Sequence, residues 1–106
     1  VSDLPSPYKN FQEEHPYLFE AYEVLGETAA KTGPLDRKTR ELVKLGMAAA
    51  YGSESAVHSH VHRAMETGAS WEEIEQTILL GITTLGFPTM MAALTWAKSA
   101  RDSHQE

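Results

Sequence analysis

A carboxylate and an imidazole can pass a proton when the fold brings them within hydrogen-bonding reach, and two residues of this chain have the types and the setting for it. Glu41 lies in Arg40-Glu41-Leu42-Val43-Lys44-Leu45, and His60 closes the run Ser53-Glu54-Ser55-Ala56-Val57-His58-Ser59-His60. An Ala-rich segment ending in Tyr51-Gly52 separates them. His60 follows Val57 by three residues and precedes Ala64 by four, which sets it at the edge of an apolar helical stripe. Histidine titrates near neutral pH, so in a partly buried site it suits general acid–base work. By itself, His60 also fits a hydrogen-bonded core residue, and Glu41 a solvated carboxylate that favours the start of a helix dipole.

The neighbouring groups carry weaker chemistry. His58 and His62 stand four apart on one helix face and could hold two corners of a zinc site. His60 points roughly 160–200° away from each at 100° per residue, so this helix cannot supply three ligands. Ser53 fits a helix N-cap, with its hydroxyl committed to backbone N–H groups, and no Gly-x-Ser-x-Gly elbow surrounds it. Arg37, Lys38, Arg40, Lys44 and Arg63 are surface cations by type, any one of which could hold a carboxylate. Cysteine is absent, which excludes disulfides, thiolate metal sites and thiol chemistry from this chain.

Helices must position these groups. Val1 to Glu14, with Pro5 and Pro7, reads as an extended arm whose Leu4, Tyr8 and Phe11 could cover a pocket or embrace a neighbour. Pro16 opens a first helix with apolar residues at Leu18, Ala21, Tyr22 and Leu25, ending near Gly33-Pro34. Asp36 caps the next helix, which runs to about Tyr51. Gly52 then supplies a left-handed terminus and Ser53 caps the third helix, with its stripe at Val57, Val61, Ala64 and Met65. Ser70-Trp71-Glu72-Glu73 is a capping box for a fourth helix carrying Ile74, Ile78, Gly81, Ile82 and Leu85. Gly86-Phe87-Pro88 breaks it, and a last helix to about Arg101 is apolar nearly all round, which calls for burial on all sides and hence a neighbouring subunit. Asp102 to Glu106 reads as a frayed tail. The expectation is an all-α protein of about five helices, with an arm over 1–14 and one helical domain over 15–106.

At 106 residues, such a chain can fold alone yet gains from partners. A net charge of −6, from 15 acidic and 9 basic residues, argues against nucleic acid or an anionic membrane surface as partner. No window approaches the ~18 apolar residues of a membrane span and no signal segment opens the chain, so the expected location is the cytoplasm.

The combination of Leu35-Asp36-Arg37-Lys38-Thr39-Arg40-Glu41-Leu42, the Ala-rich run to Gly52, the motif through His60, Ala64-Met65-Glu66-Thr67-Gly68-Ala69-Ser70 with Glu72-Glu73-Ile74, and Gly86-Phe87-Pro88 before an Ala-rich helix resembles the carboxymuconolactone decarboxylase family, which includes the alkylhydroperoxidase D proteins. The resemblance spans roughly Leu35 to Ala100. It implies an all-helical subunit assembled as a homotrimer or homohexamer. The peroxidase branch of the family uses a Cys-x-x-Cys pair, a His four residues later and a Glu twelve residues before the first Cys. On this chain those places hold Ser53, Ala56, His60 and Glu41. Glu and His are kept; both sulfurs are gone, and neither serine nor alanine can enter a disulfide cycle. Thiol peroxidase activity is excluded.

The decarboxylase branch lacks the cysteine pair and retains a His at the corresponding place. The resemblance then implies cofactor-free, metal-free acid–base lysis of a small anionic lactone or related carboxylate. His60 would donate the proton, Glu41 would set its tautomer, Arg40 or Arg63 would orient the carboxylate, and Ser53 would lie in the surrounding shell. Two readings from other classes stand beside it: a non-catalytic helical oligomer that binds a small molecule or a protein, and a metal-binding module built on His58 and His62.

Overall fold

The computed structural model describes residues 6–104. They form six α-helices and one 3₁₀ turn, with no strand among the described residues: α1 (Ser6–Glu14), α2 (Pro16–Ala30), α3 (Arg37–Tyr51), α4 (Glu54–Glu66), α5 (Trp71–Leu79), the 3₁₀ turn (Leu80–Ile82) and α6 (Phe87–His104). The all-α expectation holds. The chain divides after Pro34 into two units.

The first unit holds α1 and α2. The expected extended arm is helical from Ser6 onward, which raises the helix count from five to six. Pro7 falls in the first turn of α1, where its missing N–H has no intrahelical partner to lose. Leu4 and Pro5 lie outside the described residues. His15 separates the helices with φ −137° and ψ 65°, because the ring of Pro16 disfavours helical backbone in the residue before it. Phe11 packs at 5.3 Å from the His15 ring and 6.4 Å from Phe19. Leu18, Tyr22 and Leu25 do recur at helical spacing, yet no residue of α2 is buried.

The second unit holds α3 to α6 and the core. Asp36 accepts the Thr39 N–H at 2.8 Å to start α3. Gly52 stops it at φ 79°, a left-handed conformation that costs a side chain about 1–2 kcal/mol. Only Gly52 and Ser53 separate α3 from α4, so α4 folds back antiparallel along α3. Leu45, Ala48 and Ala49 of α3 are buried in one cluster with Val57, Val61 and Ala64 of α4. Alanine at two of those three α3 positions lets the backbones approach closely, as the composition of the run implies.

The Ser70 capping box forms in both directions: Glu73 N–H donates to Ser70 Oγ at 3.1 Å and Ser70 N–H to Glu73 Oε1 at 2.9 Å. The fourth predicted helix does not continue to Leu85. It ends at Leu79, tightens into the 3₁₀ turn and is closed by Leu85 N–H bonding Gly81 O at 2.6 Å. Glycine weakens a helix interior, and a side chain at Gly81 would stand 3.0 Å from Leu85 Cδ1, so the Leu85 side chain packs closely over it.

One expectation about the last helix is corrected. It runs on to His104 rather than fraying after Arg101, with Arg101 and His104 in the last turn where cations suit the helix dipole and Ala100 wholly buried just before them. Within this chain alone it is buried along one face. Met90, Ala93, Leu94, Ala97 and Ala100 form one buried stripe, while Met91 is 37% exposed.

Candidate functional site

Glu41 and His60 meet across the α3–α4 hairpin. Glu41 Oε1 lies 3.0 Å from His60 Nδ1, and the two side chains are 13% and 18% exposed. A carboxylate only accepts, so Nδ1 carries the hydrogen and Nε2 is left to exchange a proton with something else. The hydrogen bond from His60 holds the Glu41 carboxyl below the usual carboxylate range; burial pushes the other way, and the His60, Arg63 and Lys44 charges add to the lowering. Glu41 therefore stays ionised at neutral pH beside the ring. An ionised, mostly buried carboxylate on Nδ1 fixes the tautomer and the orientation of the ring, which leaves Nε2 as the positioned site of proton exchange.

The other expected residues fall into different settings. Ser53 Oγ accepts the Ala56 N–H at 3.2 Å and lies 3.4 Å from Ser55 Oγ, so its hydroxyl serves as the cap of α4. Seven residues separate it from His60, roughly 10 Å along the helix. Arg40 Nη1 donates to Leu35 O at 2.6 Å, tying its guanidinium to the chain that enters α3. Arg63 is exposed on α4 and Lys44 partly exposed on α3, each one turn beyond a member of the pair. Lys44 was recognisable in the sequence as a cation three residues after Glu41, but nothing in one dimension set it apart from Arg37, Lys38 or Arg40.

His58 and His62 do share a face, with ring centroids 6.4 Å apart. His62 Nε2 donates to Ala100 O at 2.9 Å, which commits one of its two nitrogens to α6. The His104 ring centroid lies 5.1 Å from that of His62, with the rings tilted by 39°. Among the described residues no three His, Cys, Asp or Glu side chains converge as a metal site. No helix among them is long and apolar enough to cross a membrane.

The carboxymuconolactone decarboxylase family profile matches residues 16–99. The chain belongs to the carboxymuconolactone decarboxylase family. The match begins at Pro16, so it takes in α2 as well as the α3–α6 unit to which the sequence resemblance was confined. The apo crystal structure of a carboxymuconolactone decarboxylase family protein from Legionella pneumophila superimposes with a TM-score of 0.82 at 27% identity, over 95% of this chain and 89% of that one. An uncharacterized protein of Haemophilus influenzae is 33% identical over 64 residues, which are 60% of this chain and 57% of that protein. This chain thus spans little more than half the length of that relative. An uncharacterized protein of Methanocaldococcus jannaschii is 30% identical over 81% of this chain and 84% of its own length.

Proposed function

We propose that this family member is a cofactor-free lyase that removes carbon dioxide from a small lactone or related carboxylate, with His60 as general acid and Glu41 as its orienting carboxylate. The observation that carries the reading is the 3.0 Å Glu41–His60 pair, mostly buried and ionised on the Glu41 side. In a carboxylated, conjugated lactone the carbon–carbon bond to the carboxylate breaks as carbon dioxide leaves. Its electron pair moves into the lactone carbonyl as a dienolate, so the substrate supplies its own electron sink. His60 Nε2–H then gives a proton to the ring carbon, and the neutral imidazole regains one from water. Glu41, as an anion on Nδ1, balances positive charge on the ring while His60 holds the extra proton and steadies the ring against rotation.

Self-association accompanies this reading. Val43, Met47, Leu80, Leu85 and their neighbours line an apolar groove of about 370 Å³ on the second unit, with Met47 and Leu80 both 65% exposed, a surface that supports contact between copies in a trimer or hexamer. The proposed setting is the cytoplasm.

The test is evolution of carbon dioxide from 4-carboxymuconolactone by the wild-type protein and by His60→Ala. Turnover that falls about 10²–10⁴-fold in the variant establishes the acid. Folded wild-type protein that releases no carbon dioxide would refute the decarboxylase reading and leave the binding role in its place.

A further inference from the structure

The first unit carries a cavity of its own. Pro7, Tyr8 and Phe11 of α1 and Phe19 and Tyr22 of α2 line about 480 Å³ of space, within the size range of small-molecule sites. Helical spacing gathers them. Tyr8 and Phe11 stand three residues apart on α1, as Phe19 and Tyr22 do on α2, and the two pairs line the cavity from either side of the break at His15. Tyr8, Phe11 and Tyr22 are exposed and no residue of α2 is buried, so these rings do not form a closed core.

The chemistry of the wall selects a class of ligand. Apart from two phenolic hydroxyls, its side chains have no hydrogen-bonding group. The three N–H donors of a primary ammonium, or the oxygens of a carboxylate, would go largely unsatisfied against it. Aromatic rings do attract a cation, which their quadrupoles hold within about 6 Å of the centroid. The Phe11 and Phe19 centroids are 6.4 Å apart with the rings tilted at 54°, which leaves positions within that reach of both. A quaternary ammonium has no N–H to satisfy and fits such a wall.

The surrounding charge has the matching sign. Glu14 follows Phe11 by three residues and Glu23 follows Phe19 by four, so each carboxylate shares a helix face with a lining ring. Neither takes part in an ion pair among the described residues. Lys9, the only lysine or arginine of α1 and α2, lies roughly 150° round α1 from the lining residues at 100° per residue.

We propose that the α1–α2 unit binds a small quaternary ammonium compound in this aromatic cavity, with Glu14 and Glu23 adding charge attraction. The site shares no residue with the Glu41–His60 pair and stands whether or not the protein is a lyase.

Choline is the probe, and neohexyl alcohol, which has carbon in place of the nitrogen, is the uncharged counterpart. Titrated into the folded protein at pH 8, above the range in which imidazoles gain a proton, choline should bind saturably, with its N-methyl proton resonances moved upfield by the rings. The neutral alcohol should bind about tenfold more weakly. Tyr22→Leu and Phe19→Leu should each weaken choline binding roughly 3–10-fold, while Tyr22→Phe, which keeps the ring, should match wild type. Glu14→Gln and Glu23→Gln should weaken it as well. Glu13→Gln removes the same charge from the far side of α1 and should not, which separates local from net charge. Tyr22 is exposed, so Tyr22→Leu leaves the helix packing in place, and unchanged helicity by circular dichroism checks that. No saturable binding at millimolar choline, the result expected where a second copy covers the rings, overturns the proposal. So does equal binding of the neutral alcohol, which would make the cavity a site for apolar molecules. Choline binding untouched in both Tyr22→Leu and Phe19→Leu overturns it too.

Discussion

The strongest quantitative consequence of the structure is a coupling energy between Glu41 and His60. Replacing Glu41 by Gln keeps the shape and an acceptor oxygen but removes the charge; replacing His60 by Gln removes the ring. A hydrogen bond to a charged group contributes about 1.5–3 kcal/mol, and a neutral one about 0.5–1.5 kcal/mol. Both side chains are less than one-fifth exposed, so solvent screening takes little from the charged value. Single variants should each lose about 1–2 kcal/mol in urea unfolding, and the double variant less than their sum, leaving a coupling of about 1–2 kcal/mol. The assay is a double-mutant cycle at pH 7 and fixed protein concentration, with the urea dependence checked for a constant slope. Additivity within about 0.5 kcal/mol would mean the pair is not formed as described. Repeating the cycle in acid adds a control: the coupling must shrink towards the neutral hydrogen-bond value once Glu41 is protonated.

The carboxylates of Asp36, Glu41 and Glu73 are all lowered, by the Thr39 N–H, the His60 hydrogen bond and the Ser70 N–H respectively. A lowered folded value means that their stabilisation is fully present above the ordinary values of 3.8 and 4.5 and is lost as pH falls through the lowered ones, so the urea midpoint should be flat near neutrality and drop below about pH 4.5, less steeply in Glu41→Gln. Gly52→Ala should cost about 1–2 kcal/mol in the same unfolding assay, because the left-handed backbone at φ 79° disfavours a Cβ even though open space surrounds it. An unchanged midpoint there would show that the α3–α4 joint tolerates another backbone conformation.

The predicted helix boundaries that came out right were those with local chemistry behind them. Asp36, Gly52, Ser53 and Ser70 each do their work within a few residues of chain, through a cap or a left-handed φ, so their roles can be read in one dimension. The boundaries that came out differently depended on more distant contacts or on weak local preferences. Gly81 permits a turn that only the approach of Leu85 makes visible, and α6 extends to His104 past a polar tail because Ala100 is buried and His62 reaches across to its carbonyl. In α1, two prolines suggested an arm, although a proline in the first turn is compatible with a helix.

For the site, sequence alone determined which chemistry is possible. With no cysteine there is no thiol cycle, and with Glu41 and His60 kept at the family spacing a carboxylate–imidazole pair is available. It could not decide whether the two would meet, since they stand nineteen positions apart with a reversal of direction between them. Nor could it choose among five nearby cations. The packing of α3 on α4 decides the first question: it turns Leu45 and Ala64 inward and brings Glu41 Oε1 to 3.0 Å from His60 Nδ1, while Arg40 is tied locally to Leu35. Residue type fixes what a side chain can do, while the packing of α3 on α4 fixes which side chains can do it together.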